Sequence, residues 1–202
     1  MSADTLVYEA FDGTIPHTTC GPYTAEDYLQ LPEGERVELL RGRLIKMSPS
    51  PVPRHQLVGA YLWSLLQKCA VSVGGLAIPA PMDVLLGNHT VAQPDVVYIR
   101  ADHMHQVRKI VHGAPDLLVE VLWRSTAARD RIEKLDLYAT AGVSEYWIVD
   151  PETDIFEFHI LDGQSYRVTA KDSGQYQSPL FPEVSLDLTE FWNTIAKWLP
   201  EV

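Results

Sequence analysis

The chain has 202 residues, 46% of them hydrophobic, and a formal net charge of −11. That length and composition suit one globular domain with a sizeable core and exclude a disordered chain. The acidic balance argues against coating nucleic acid through a broad basic surface, while leaving room for a local basic cleft.

Residues 1–22 carry Asp12-Gly13 and Gly21-Pro22 without a clear period, which predicts an extended, loosely attached arm. The arm lacks a basic start followed by an apolar run, so no signal peptide is expected. Thr24 and Asp27 resemble a capping box opening a short helix through Leu31. Val37–Leu40 and Leu44–Met47 flank Arg41-Gly42 as a hairpin, with Glu38 read as a residue of its polar face. Ser48–Pro53 is a loop. From Arg54 to about Val73, Leu57, Val58, Tyr61, Leu62, Leu65, Leu66 and Cys69 fall at helical spacing. His55 lies in the first turn, where a surface or capping role is the ordinary one. Cys20 and Cys69 show no metal-ligand spacing, and reduced thiols in a cytoplasmic protein suit them. No apolar run approaches the roughly 20 residues that span a bilayer, so no membrane is expected.

Leu76–Ile78, Val84–Leu86 and Val91–Ile99 read as strands, the last broken by Pro94 just before Asp95. Arg100–Pro115, with His103, His105 and His112, reads as a mobile polar connection. Leu117–Leu122 is a buried strand carrying Glu120, a carboxylate that is costly to bury unpaired. Ser125 and Thr126 cap a helix that ends at Gly142, and Tyr146–Val149 follows as a second strand. Strand, helix, strand with short connections predicts a β-α-β unit with parallel strands. Ile155–Leu161 and Tyr166–Thr169 form a hairpin around Asp162-Gly163. Leu180–Leu188 is a last extended segment, and Thr189 opens a C-terminal helix with Phe191, Trp192, Ile195 and Trp198. Residues 1–22 are thus an arm and 23–202 a single domain, α/β in class.

Asp95 and Glu120 converge from strands, and Lys134 sits on the helix after Glu120. Two carboxylates with a backbone carbonyl, that of Val121, suit a hard cation such as Mg2+, with Mn2+ as a substitute. Such a cation polarises a phosphodiester and activates water, and a lysine stabilises the growing charge. The set points to phosphodiester hydrolysis.

Pro94-Asp95 followed by Glu120-Val121-Leu122 resembles the PD-(D/E)xK nuclease superfamily, except that Leu122 stands where its lysine is expected. Asp130, Lys134, Tyr138, Ala141-Gly142 and Glu145 to Pro151 look like the Uma-type (Uma-two) restriction endonuclease family, as do Glu38 to Leu44 and His55. The resemblance runs from about Tyr23 to Leu188. It implies a restriction-endonuclease-like fold, a mixed central β-sheet flanked by α-helices, and Mg2+-dependent cleavage of DNA. It also implies that the lysine has moved onto the helix as Lys134, with Glu38 joining Asp95, Glu120 and Lys134 in the catalytic set. Trp123-Arg124 departs from the family's Ser-Pro, so Trp123 would narrow the cleft and Arg124 would replace a phosphate contact. A homodimer is expected from the late hairpin and from Phe191, Trp192 and Trp198, two sites suiting the two strands of a duplex.

Each assignment has a plainer rival. Asp95 as a turn acid, Glu120 as a structural ion-pair partner and Lys134 as a surface lysine paired with Asp130 are the alternatives. At the level of function, the rivals are a catalytically silent module that binds nucleic acid or a protein, and a phosphodiesterase acting on small nucleotides.

Overall fold

A computed structural model describes residues 8–9, 20–32, 34–47, 52–124 and 126–199. The N-terminal part runs β1 (Tyr8–Glu9), α1 (Ala25–Leu29), β2 (Val37–Leu40), β3 (Arg43–Lys46) and α2 (Pro53–Ser72). Then come β4 (Leu76–Pro79), β5 (Val84–Gly87), β6 (Thr90–Ala92), β7 (Val96–Ile99), a 3-10 helix (Ala101–Gln106), β8 (Val111–His112) and β9 (Leu117–Val121). The second half holds α3 (Ala127–Arg129), a π-helical turn (Asp130–Lys134), α4 (Leu135–Ala141), β10 (Glu145–Asp150), β11 (Ile155–Asp162) and β12 (Ser165–Lys171). It closes with β13 (Gln175–Gln177), β14 (Ser185–Asp187) and α5 (Leu188–Trp198).

The class is α/β, but the strands divide into two large mixed sheets instead of one. Their orders are β1-β3-β2-β6-β5-β8 and β12-β11-β10-β9-β7-β4. β9 and β10 are parallel, with Glu120 opposite Ile148, as the strand–helix–strand order requires. Alternation along β9 separates two cores. Leu117, Val119 and Val121 face Val58, Leu62, Leu66 and Ala70 of α2 and Phe191 and Ile195 of α5. Leu118 and Leu122 join Tyr138, Tyr146 and Ile148, and also Leu40, Ile45 and Val84 of the other sheet. Glu120 shares the parity of Leu118 and Leu122, so it points between the two sheets. Burying each of these large side chains stabilises the fold by roughly 1.5–3 kcal/mol.

Local signals explain most boundaries. Thr24 and Asp27 form the capping box, with Thr24 N–H donating to Asp27 Oδ2 at 2.7 Å. Arg41 and Gly42 adopt φ of 48° and 72°, the mirror-image turn that suits a twisted hairpin. A Cβ on Gly42 would lie 2.3 Å from the Gly21 carbonyl oxygen, so glycine is required there. Gly21 N–H donates to Arg41 O and β1 pairs with β3, so the described part of the arm is attached to the sheet.

Other segments differ from expectation. The Arg100–Pro115 connection contains the 3-10 helix and β8, and His103 Nδ1 lies 2.9 Å from Asp116 Oδ1. Only Ser185–Asp187 of the last extended segment is a strand, pairing with Gln175–Gln177. Asp187, rather than Thr189, caps α5. Phe191 and Trp192 are buried in the chain's own core, and Trp198 is half exposed. The Ser125 cap and residues 48–51 of the predicted loop lie outside the described residues. Among the described residues no helix is long and apolar enough to cross a membrane.

Candidate active site

The helix after β9 is α-helical in pattern yet contains one π-helical turn, Asp130–Lys134. Such turns are rare and cluster at functional sites. Here the wider turn places Asp130, Glu133 and Lys134 all in the interior, each 2% exposed. Arg43 holds Glu133, and Arg41 holds Asp136, so the β2–β3 hairpin grips the helix on both sides of Lys134. Gly142 ends the helix at φ 89° with its N–H donating to Tyr138 O.

Lys134 is therefore not the surface lysine of an exposed pair. Its Nζ donates to Glu120 Oε1 at 2.7 Å and to Glu38 Oε1 at 2.8 Å, while Asp130 Oδ1 stands off at 3.7 Å. Two of three ammonium hydrogens are thus engaged at hydrogen-bond distance. Glu38 is fully buried rather than solvated; its Oε1 also accepts from Gln93 N–H at 2.9 Å, and its Oε2 has no hydrogen-bond partner among the described residues. Tyr138 OH donates to Glu120 Oε1 at 2.8 Å, and Asp130 Oδ2 accepts from Thr126 Oγ1.

Asp95 follows Pro94 at the mouth of β7 and accepts from Val121 N–H at 2.7 Å through Oδ2. About a quarter of its side chain remains accessible. His55, buried on the first turn of α2, donates from Nε2 to the Val121 carbonyl at 2.8 Å, 3.8 Å from Asp95 Oδ2. The carbonyl can only accept, so the hydrogen bond assigns the proton to Nε2. The two backbone polar atoms of Val121 thus tie Asp95 and His55 to the residue after Glu120.

Burial and charge act together here. Burial pushes the Glu120 carboxyl well up, more than Lys134 can offset, and Asp130, Asp95 and Glu38 add to the rise. Burial also raises Asp95 and Asp130. Glu38 resists burial because Lys134, Arg129 and the Gln93 N–H hold it below its ordinary value. Burial opposes the charge on Lys134, but Glu120, Glu38 and Asp130 outweigh it and keep the ammonium protonated. Ionised together, Glu38, Asp95, Glu120 and Asp130 would outnumber Lys134 and Arg129 by two, and the rise at Glu120, Asp95 and Asp130 marks that crowding as unfavourable without a further cation.

That excess fits a divalent cation. The donors are oxygens only: the Asp95 and Glu120 carboxylates and the Val121 carbonyl, whose second lone pair remains after His55. Both hydrogen bonds to Glu120 run to Oε1. Among the described residues no group of three or more His, Cys, Asp or Glu forms a metal centre from side chains alone. Water would have to complete the shell of a two-carboxylate set.

Glu38, His55, Asp95, Glu120, Asp130 and Lys134 line one cleft of about 1030 Å3, together with Trp123, Trp63, Gly59, Arg36 and Lys109. Trp123 stands edge-on to His55 with ring centroids 6.4 Å apart. Arg124 is exposed, does not line this cleft, and donates to Glu152 at 2.7 Å. The support roles of Tyr138, Arg129 and Gln93 were not expected from the sequence, although Tyr138 stands in the family motif and its helical spacing from Lys134 puts both on one face.

The model of the Uma2 family, described as "Putative restriction endonuclease", matches residues 25–189. A crystal structure from Anabaena variabilis ATCC 29413, described as a "putative nuclease belonging to DUF820", is similar with a TM-score of 0.74. It is 19% identical over 86% of this chain and 99% of its own, a likeness that speaks for the fold. No curated protein gives a significant match.

Proposed function

This chain belongs to the Uma2 family, and from that premise we propose that it is a divalent-metal-dependent endonuclease hydrolysing phosphodiester bonds in DNA. The observation that carries the reading is a buried ammonium, Lys134 Nζ, shared by Glu120 and Glu38 in an accessible cleft beside Asp95. An ion pair kept only for stability has little reason to sit among surplus acids.

Asp95, Glu120 and the Val121 carbonyl would hold Mg2+, or Mn2+ in its place. When bound, the cation supplies Lewis acidity toward a phosphoryl oxygen and a lowered pKa for an attacking water. The protein's own groups do the positioning. Val121 N–H fixes the Asp95 carboxylate, and His55 fixes the carbonyl. Tyr138 and Lys134 pin Glu120 through one oxygen. Lys134 takes the place of the charge missing at Leu122, which lies in the apolar core. Its remaining N–H is a donor for the nucleophile or for charge growing on the phosphoryl group. Glu38 holds Lys134 from the opposite side, acting as a positioning group. We also propose that the protein is a homodimer through β12, the outer strand of its sheet.

The test is cleavage of plasmid, oligonucleotide and small phosphodiester substrates by purified protein, with Mg2+, with Mn2+ and with chelator. Wild type should cut DNA only with a divalent ion, and Asp95→Ala or Glu120→Ala should abolish cutting while the fold survives. Wild-type rates in either variant would refute the assignment.

A further inference from the structure

We propose that the cleft receives an unpaired stretch of DNA, with one base stacked on Trp123 and the next contact made on Trp63, and not an intact duplex. The inference rests on the nuclease reading for where the scissile phosphate lies. Size is the first argument. A cleft of about 1030 Å3 sits at the top of the roughly 300–1,000 Å3 range of pockets that enclose small ligands. That is room for a few nucleotides held within the cleft.

Charge is the second argument. The whole chain carries −11. Within the cleft, Lys134 is engaged by Glu38 and Glu120, and Arg129 lies deep among the same acids. Among the described residues, the exposed cations lining the cleft are Arg36 and Lys109. Two phosphate contacts release few counterions, so electrostatics alone gives weak binding. Affinity must then come from another source, and base stacking supplies it without a basic surface.

The aromatic groups are in the right places. Trp123 is half-buried, follows the Glu120 strand by two residues beyond Val121, and is braced edge-on by His55. Trp63 is also half-buried and lines the same cleft, its indole N–H fixed to Ala77 O at 2.9 Å. His55, Gly59 and Trp63 are spaced four apart along α2 and all line the cleft. Eight residues of helix separate the first and last by about 12 Å. Gly59 keeps the floor between them clear, since a Cβ there would meet only Val121 Cγ2 at 3.9 Å. Trp123 beside His55 and Trp63 about two helical turns further along thus line the same cleft as the candidate catalytic groups.

The experiment measures anisotropy of a short fluorescein-labelled oligothymidylate with the full chain in chelator, so that cleavage plays no part. The single strand should bind at least about tenfold tighter than the same sequence paired with its complement. Trp123→Ala should weaken single-strand binding by roughly 5- to 150-fold, and Trp123→Phe should keep most of it. The plot of log affinity against log salt should be no steeper than about −1.4, two phosphates on a single strand. Equal or tighter duplex binding, an unaffected Trp123→Ala, or a much steeper salt slope would overturn the inference. Stacking-dependent binding in a wild-type protein that cuts no DNA with Mg2+ or Mn2+ would remove the nuclease reading and leave this one standing.

Discussion

Several buried acids depend on the one Lys134 ammonium. Replacing the lysine with methionine leaves Glu38, Glu120 and Asp130 buried, with Arg129 as the remaining cation acting on Glu38 and Asp130. Breaking a buried charge arrangement from one side costs about 3–5 kcal/mol. Lys134→Met should lose about that much stability in urea unfolding at pH 7, and adding Glu38→Gln should recover part of it. An unchanged unfolding midpoint in the single variant would show that the lysine is not the counter-ion the geometry makes it. Kinetic comparison of Lys134 variants therefore needs the folded fraction measured alongside. Motif order singled out Asp95, Glu120 and Lys134, and the structure brings Glu120, Lys134 and Glu38 within hydrogen-bonding reach. The burial of Glu38 was not legible from strand alternation. Its clue was the run Val37-Glu38-Leu39-Leu40, too apolar for a strand with one wet face, and all four residues are in fact buried.

At the scale of elements, the strand–helix–strand unit was readable because its signals agree: an apolar strand, a helix stop at Gly142, and a second apolar strand. The π turn was not, since a one-turn change of pitch leaves composition and caps untouched. Also missed was the tie between β10 and the β13 segment. Glu145, fully buried, accepts from Trp147 Nε1 at 2.6 Å, from Tyr176 OH, and from Ser178 Oγ at 2.6 Å. These donors lie more than 30 residues away in two cases, so no local pattern reveals them. Burial raises the Glu145 carboxyl above its ordinary 4.5, against the pull of the three donors. A raised acid binds more protons when folded than when unfolded, so its contribution to stability falls as pH rises from about 4.5 through the folded value. Glu145→Gln should flatten that part of the stability–pH curve, seen as a smaller drop in Tm between pH 4.5 and 7. A slope equal to that of wild type would show that Glu145 does not contribute it.

For the whole molecule, the acidic balance and the α/β class set broad limits, while the division into two sheets depends on pairings far apart in sequence, such as β2 with β6. The dimer expected from C-terminal aromatics loses Phe191 and Trp192 to the internal core. β12 remains as an edge strand with Val168 54% exposed, and pairing two such edges about a two-fold axis would extend the sheet. Light scattering at micromolar concentration should give the mass of two chains, and the mass of one would contradict it. The crowded carboxyls around Lys134 should hold a cation when one is offered. Calorimetric titration of Mn2+ into the intact protein tests this directly. It should show saturable binding in wild type that is lost in both Asp95→Asn and Glu120→Gln, whereas no binding, or binding that both variants retain, would contradict it.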